Sequence, residues 1–144
     1  MKNLLKLAAI LGLLTLMTTG CSNRATGSVS PSTDLSLLKT MYVKKIPADK
    51  REVNVLVADK LRSKGVTVTT GEEAPPANVD AVVTYIDKWM WDMTMYMLEL
   101  TINIDDPKTG AQLATGNSLH TSLTRKSPTE MVDEVIESIY KSKK

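Results

Sequence analysis

Phenylalanine is absent from this chain, and cysteine and histidine occur once each, as Cys21 and His120. A lone cysteine excludes an intramolecular disulfide and any cysteine-based zinc site, and a lone histidine leaves nothing to complete one. Without Phe, the bulky packing of a core falls to Met, Trp and Tyr. There is no Gly-rich phosphate loop and no Gly-x-Ser-x-Gly phrase. No apolar run reaches the roughly 20 residues needed to cross a bilayer. Adjacent carboxylates include Glu72-Glu73, in a Pro-rich stretch, and Asp105-Asp106, beside a turn. Both read as solvated loop charge, so the residues argue against an enzyme.

What is present begins at the amino terminus. Lys2 and Lys6 bracket the start of an apolar stretch, Leu4 to Met17, that contains no acid. A positive start and roughly 12 apolar residues are the opening regions of a secretory signal. The stretch ends Leu16-Met17-Thr18-Thr19-Gly20-Cys21, which resembles the lipobox of bacterial lipoproteins, with Thr18 departing from the usual Leu. The resemblance implies cleavage before Cys21 and a covalent lipid on its sulfur, with no other cofactor. Two or more acyl chains hold a protein stably where one does not. Ser22 follows in place of Asp, which by the same resemblance implies the outer membrane, facing the periplasm, in a Gram-negative source. Residues 1–20 carry two lysines and no acid, so the remaining 124 residues hold 16 basic and 16 acidic side chains and have no net charge. That removes the basic surface on which nucleic-acid binding depends.

Ser22 to Asp34 is rich in Ser, Thr, Gly and Pro without apolar periodicity, and residues 21–36 read as the lipidated cysteine and a flexible tether spanning on the order of 20 Å. Residues 37–144 then read as one domain. Leu38–Ile46 is a strand. Asp49 is expected to cap a helix, with Glu52 at the capping-box distance and Val53, Leu56, Val57 and Leu61 forming one apolar stripe. Gly65 ends that helix, and Val66–Thr69 is a short strand. Val79–Met90 reads as a central strand. Leu98, Leu100, Ile102 and Ile104 alternate with polar residues, as in a half-buried strand. The Asp106–Gly110 turn leads into Ala111–Leu123 as the antiparallel partner, with Gly116 a candidate bulge. Ser127-Pro128-Thr129-Glu130 opens a closing helix.

The expected fold is α+β, in the order β-α-β-β-β-β-α, with one mixed, mostly antiparallel sheet and two helices on one face. This order resembles the small domains of envelope lipoproteins and envelope machines. Examples are the N-terminal domain of the Tol-system propeller protein, activators of penicillin-binding proteins, and ring-forming lipoproteins of exopolysaccharide secretion. The turn phrase around Asp106–Gly110 is also similar to lipoprotein families of unassigned role. The resemblance implies a periplasmic, membrane-anchored component that binds other envelope proteins or itself.

Trp89-Met90-Trp91-Asp92-Met93-Thr94-Met95-Tyr96-Met97 holds both tryptophans and half the methionines. On a strand, Met93, Met95 and Met97 share a face at successive spacings of about 6.8 Å. Their parity is opposite to that of Leu98, Leu100, Ile102 and Ile104. Three readings stand. The stretch is core packing, with a bulge or turn near Asp92 correcting the parity. Alternatively, Trp89, Trp91, Met93, Met95 and Met97 form an interaction surface. In the third reading Met93, Met95 and Met97 with His120 bind Cu(I), which thioethers favour. His120 itself reads as a hydrogen-bonded or exposed strand histidine.

Overall fold

A computed structural model describes residues 23–142. The lipobox at Leu16–Cys21 lies outside the described residues. Six strands form one sheet: β1 (Arg24–Val29), β2 (Thr40–Lys44), β3 (Thr67–Gly71), β4 (Ala81–Asp92), β5 (Thr94–Asp105) and β6 (Gln112–Leu119). Helix α1 (Val53–Ser63) follows β2, and α2 (Pro128–Lys141) closes the fold. The spatial order is β1-β6-β5-β4-β2-β3. β2 runs parallel to β3 and β4, and every other pair is antiparallel. The sheet is thus mixed and mostly antiparallel, as its residue pattern predicts.

One face of the sheet is dry. Met41, Val43, Val83, Tyr85, Leu100, Ile102 and Ile104 pack there against Val57 and Leu61 of α1 and Met131, Val135 and Ile139 of α2. Both helices lie on this face. The five buried apolar residues of α2 contribute on the order of 10 kcal/mol of gross burial. Its capping box, formed between Ser127 and Glu130, contributes about 1 kcal/mol. Packing therefore holds this helix, and the cap sets where it begins. The opposite face carries cross-strand polar contacts, with Asn117 donating to Glu99 and Thr101 and Thr115 donating to Asn103.

Three expectations need correction. Residues 24–29 are not tether: they form β1, paired along its length with β6, and Leu35 beyond it is buried. The small side chains are the reason this strand belongs in the fold. A Cβ on Gly27 would stand 2.2 Å from the backbone of Ser138, so α2 can lie on β1 only because that Cβ is missing. Gly116, expected as a bulge, sits in regular register beside Gly27 and serves the same end, since a Cβ there would meet Val135 and Ile139 at 2.8 Å. The register shifts fall between Lys88 and Trp89 and between Ile104 and Asp105 instead.

The start of α1 also departs from the expected capping box. Glu52 takes a left-handed conformation and its side chain makes no capping bond. Asp49 does the work from further back. Its carboxylate accepts the backbone N–H of Arg51 and of Asn54 and the hydroxyl of Tyr85 at 2.7 Å. Burial pushes the Asp49 carboxyl up, and these hydrogen bonds outweigh it and hold it below the usual range.

Candidate functional site

The site most open to partners follows from unequal strand lengths. β4 and β5 are 12 residues each, yet β2 pairs with β4 only over Ala81–Val83, and the register of β6 on β5 ends at Glu99. Past that row the hairpin continues, and among the described residues no further strand lies beside it. Five residues at strand rise carry it about 15 Å beyond the sheet. A lone two-stranded ribbon is marginal in water, so this arm needs other support.

Its base is braced from both sides. Between the pairs Lys88–Glu99 and Trp89–Met97 the register shifts, leaving Leu98 without a partner on β4. The shift returns Met97 to the dry face, where it is fully buried with Leu100 and Ile102. Trp89 packs at the margin of the same core, under the guanidinium of Arg51 at 4.1 Å, and its Nε1 donates to Asp87 at 2.6 Å. On the other side Arg125 lies 4.6 Å over the buried Tyr96 ring and donates to Thr94 Oγ1 at 2.7 Å. Ser122 donates to the carboxylate of Asp92. Cation–ring contacts of this kind are worth about 0.5–1 kcal/mol each.

The tip has no such cover. Trp91 pairs with Met95 and continues the Trp89–Met97 face outward, into solvent. Met93 occupies the turn itself with φ of 58° and is 86% exposed. A left-handed backbone is rare for a long side chain and costs of order 1 kcal/mol. Met90 is exposed as well, and so is Leu123 in the Ser122–Thr124 turn that grips the arm. Among the described residues, five of the eight large apolar side chains left exposed stand at this one end of the molecule.

The Trp/Met segment is therefore divided. Met97 lies in the core and Trp89 packs against it, as the packing reading expects, but the bulge that restores their parity falls at Leu98 and not near Asp92. Trp91, Met93 and Met95 lie on the surface. Met90, Leu123, Arg51 and Arg125 complete this end and were not singled out from sequence. An apolar Leu inside the polar run Thr121-Ser122-Leu123-Thr124 is the one signal that was there to read.

The four residues that suggested Cu(I) do not share one place. Met93 and Met97 are separated by about 13 Å of strand, the first in solvent and the second sealed in the core. His120 is buried, with Nε2 at 2.6 Å from the Glu134 carboxylate. Among the described residues no group of three or more His, Cys, Asp or Glu side chains is placed to hold a metal.

Glu134 joins three elements. Its Oε2 accepts Ser118 at 2.6 Å and faces His120, and its Oε1 takes Lys126 at 2.7 Å. Burial raises its carboxyl, but the hydrogen bonds of Lys126, Ser118 and His120 prevail and bring it down to about 2. Serine, histidine and an acid do meet here, yet not as a nucleophilic relay. The Ser118 hydroxyl donates to Glu134 and not to the imidazole, and it is fully buried. The cluster ties β6 and the 120–126 connection to α2, and so fixes the loop that braces the arm.

No family model and no curated sequence matches this chain. Solved structures do. The chain is similar to PelC from Paraburkholderia phytofirmans, a dodecamer, at 16% identity over 82% of this chain and 98% of that one, with a TM-score of 0.60. A PDZ domain protein from Parabacteroides distasonis gives 0.51 at 16% identity, with 37% of its length covered. TolB from Acinetobacter baumannii gives 0.50 at 15% identity, with 31% covered. At such identities the likeness is one of fold.

Proposed function

We propose that this chain is a lipid-anchored, non-enzymatic component of the bacterial envelope, held to the periplasmic face of the outer membrane through Cys21 and acting by binding other envelope proteins or copies of itself. The observation that carries this reading is that the one Ser–His–acid cluster is consumed in holding the fold together, while exposed apolar side chains gather at one end as a contact surface for protein or membrane. Large exposed apolar patches mark contact surfaces. The signal-like start and the Gly20–Cys21 step supply the anchor. The dodecameric state belongs to PelC and makes self-association the first thing to test. Among the described residues the helix-free sheet face and the outer edges of β1 and β3 offer further surfaces for protein contacts.

The test is cross-linking of the full-length chain in intact Gram-negative cells, with labelled palmitate followed alongside. The reading expects label on the wild type and none on Cys21→Ser, together with discrete cross-linked species containing the chain. An anchored protein that cross-links to nothing overturns the protein-binding half. A Cys21→Ser protein that still carries label overturns the anchor.

A further inference from the structure

The chain's first described residue lies at the arm end. Arg24 pairs with Leu119, which pairs with Glu99, which pairs with Lys88, so β1 starts on the row from which the arm leaves the sheet. Asn23 accepts a hydrogen bond from Thr124 at 2.5 Å, and Ser122 of the same turn donates to Asp92 beside the tip. The start of the domain, the exposed Leu123 and the arm are thus stitched together. Cys21 precedes Asn23 by two residues, and two residues of chain reach at most about 7 Å. A lipid on Cys21 therefore enters its membrane next to the arm, and no tether is long enough to lift this end away.

We propose that the arm end is a bilayer-insertion surface, in which Met90, Trp91, Met93, Met95 and Leu123 enter the boundary between headgroups and acyl chains and set the orientation of the domain. The proposal rests on the lipid anchor of the preceding section. Trp is a residue of the membrane–water boundary, and an apolar edge buried there needs no matching shape. Arg51, Lys88 and Arg125 stand around the base of the arm, with Lys88 paired to Glu99 and Arg125 4.0 Å from Asp92, at the level where lipid headgroups would lie. A protein occupant fits less well. Stable protein interfaces use about 20–30 residues a side, against five side chains here. A second copy docked tip to tip would bring two acyl anchors into the contact, where they could not both enter one leaflet.

The experiment uses the full-length lipidated protein in vesicles of phosphatidylethanolamine and phosphatidylglycerol whose acyl chains are brominated close to the headgroup. Bromine quenches tryptophan on contact. Insertion predicts quenching of the wild type, loss of most of it in Trp91→Phe, and its retention in Trp89→Phe. Protein that floats with the vesicles yet shows no quenching overturns insertion while leaving the anchor intact. Equal loss in the two variants also overturns it. Protein that does not float at all defeats the anchor reading and insertion with it. Disulfide-linked pairs of Met93→Cys on the vesicles would name a second copy as the occupant, and so overturn the proposal.

Discussion

Met97 and Met95 are two residues apart on β5, each opposite a tryptophan, and they meet opposite surroundings. Met97 faces Trp89 and is sealed between sheet and helices, while Met95 faces Trp91 in the open. The residue types are the same at the base and at the tip of the arm. What separates them is where the neighbouring strands stop, a property of β2 and β6 and not of the arm's own sequence. Apolar side chains at the base are spent on stability. At the tip they are free for something else, and the left-handed Met93 shows the tip giving up stability.

That division predicts unequal answers from similar substitutions. Met97→Ala leaves a hole in a closed core and is expected to lower unfolding free energy by about 2–5 kcal/mol in urea or guanidinium titrations. A loss below 1 kcal/mol would place Met97 with the tip. The brace comes next and responds to acid. Glu134 has its folded-state pKa lowered to about 2 from 4.5, so the stability it contributes is complete above pH 4.5 and is lost as pH falls from there toward 2. Glu134→Gln should flatten that part of a stability-against-pH curve. Arg125→Ala removes the cover of Tyr96 and the tie to Thr94, and should cost about 1 kcal/mol. It should also speed amide exchange in residues 89–97 relative to the rest of the sheet. Smallest of all, Trp91→Ala and Met93→Ala should change stability by less than about 0.5 kcal/mol while weakening whatever the tip contacts.

Much of this fold is legible because its signals are local. The box at Ser127–Glu130, the alternation from Leu100 to Ile104 and the turn at Asp106–Gly110 each act within a few residues of themselves. β1 was illegible because Arg24-Ala25-Thr26-Gly27-Ser28 has the composition of a linker. Its place depends on a helix more than 100 residues later that needs the missing Cβ of Gly27. The start of α1 departs from its sequence signal because Asp49 reaches the Asn54 amide across a left-handed Glu52 rather than from the adjacent position. The Trp/Met segment was conspicuous as a candidate site. Its division into core and surface depends on the Leu98 bulge and on strand ends elsewhere, which no period within the segment encodes.

The central claim is that Trp91, unlike Trp89, is an open side chain waiting for cover at the end of the molecule nearest the proposed anchor. Acrylamide, a quencher confined to water, tests it most directly in the lipidated Trp89→Phe protein, where Trp91 is the only tryptophan. The account predicts efficient quenching for the same variant made without residues 1–21, and so without lipid, in solution, and a clear drop in the lipidated protein once it is anchored to vesicles. Quenching that is equally efficient in both states, or weak in both, would contradict it.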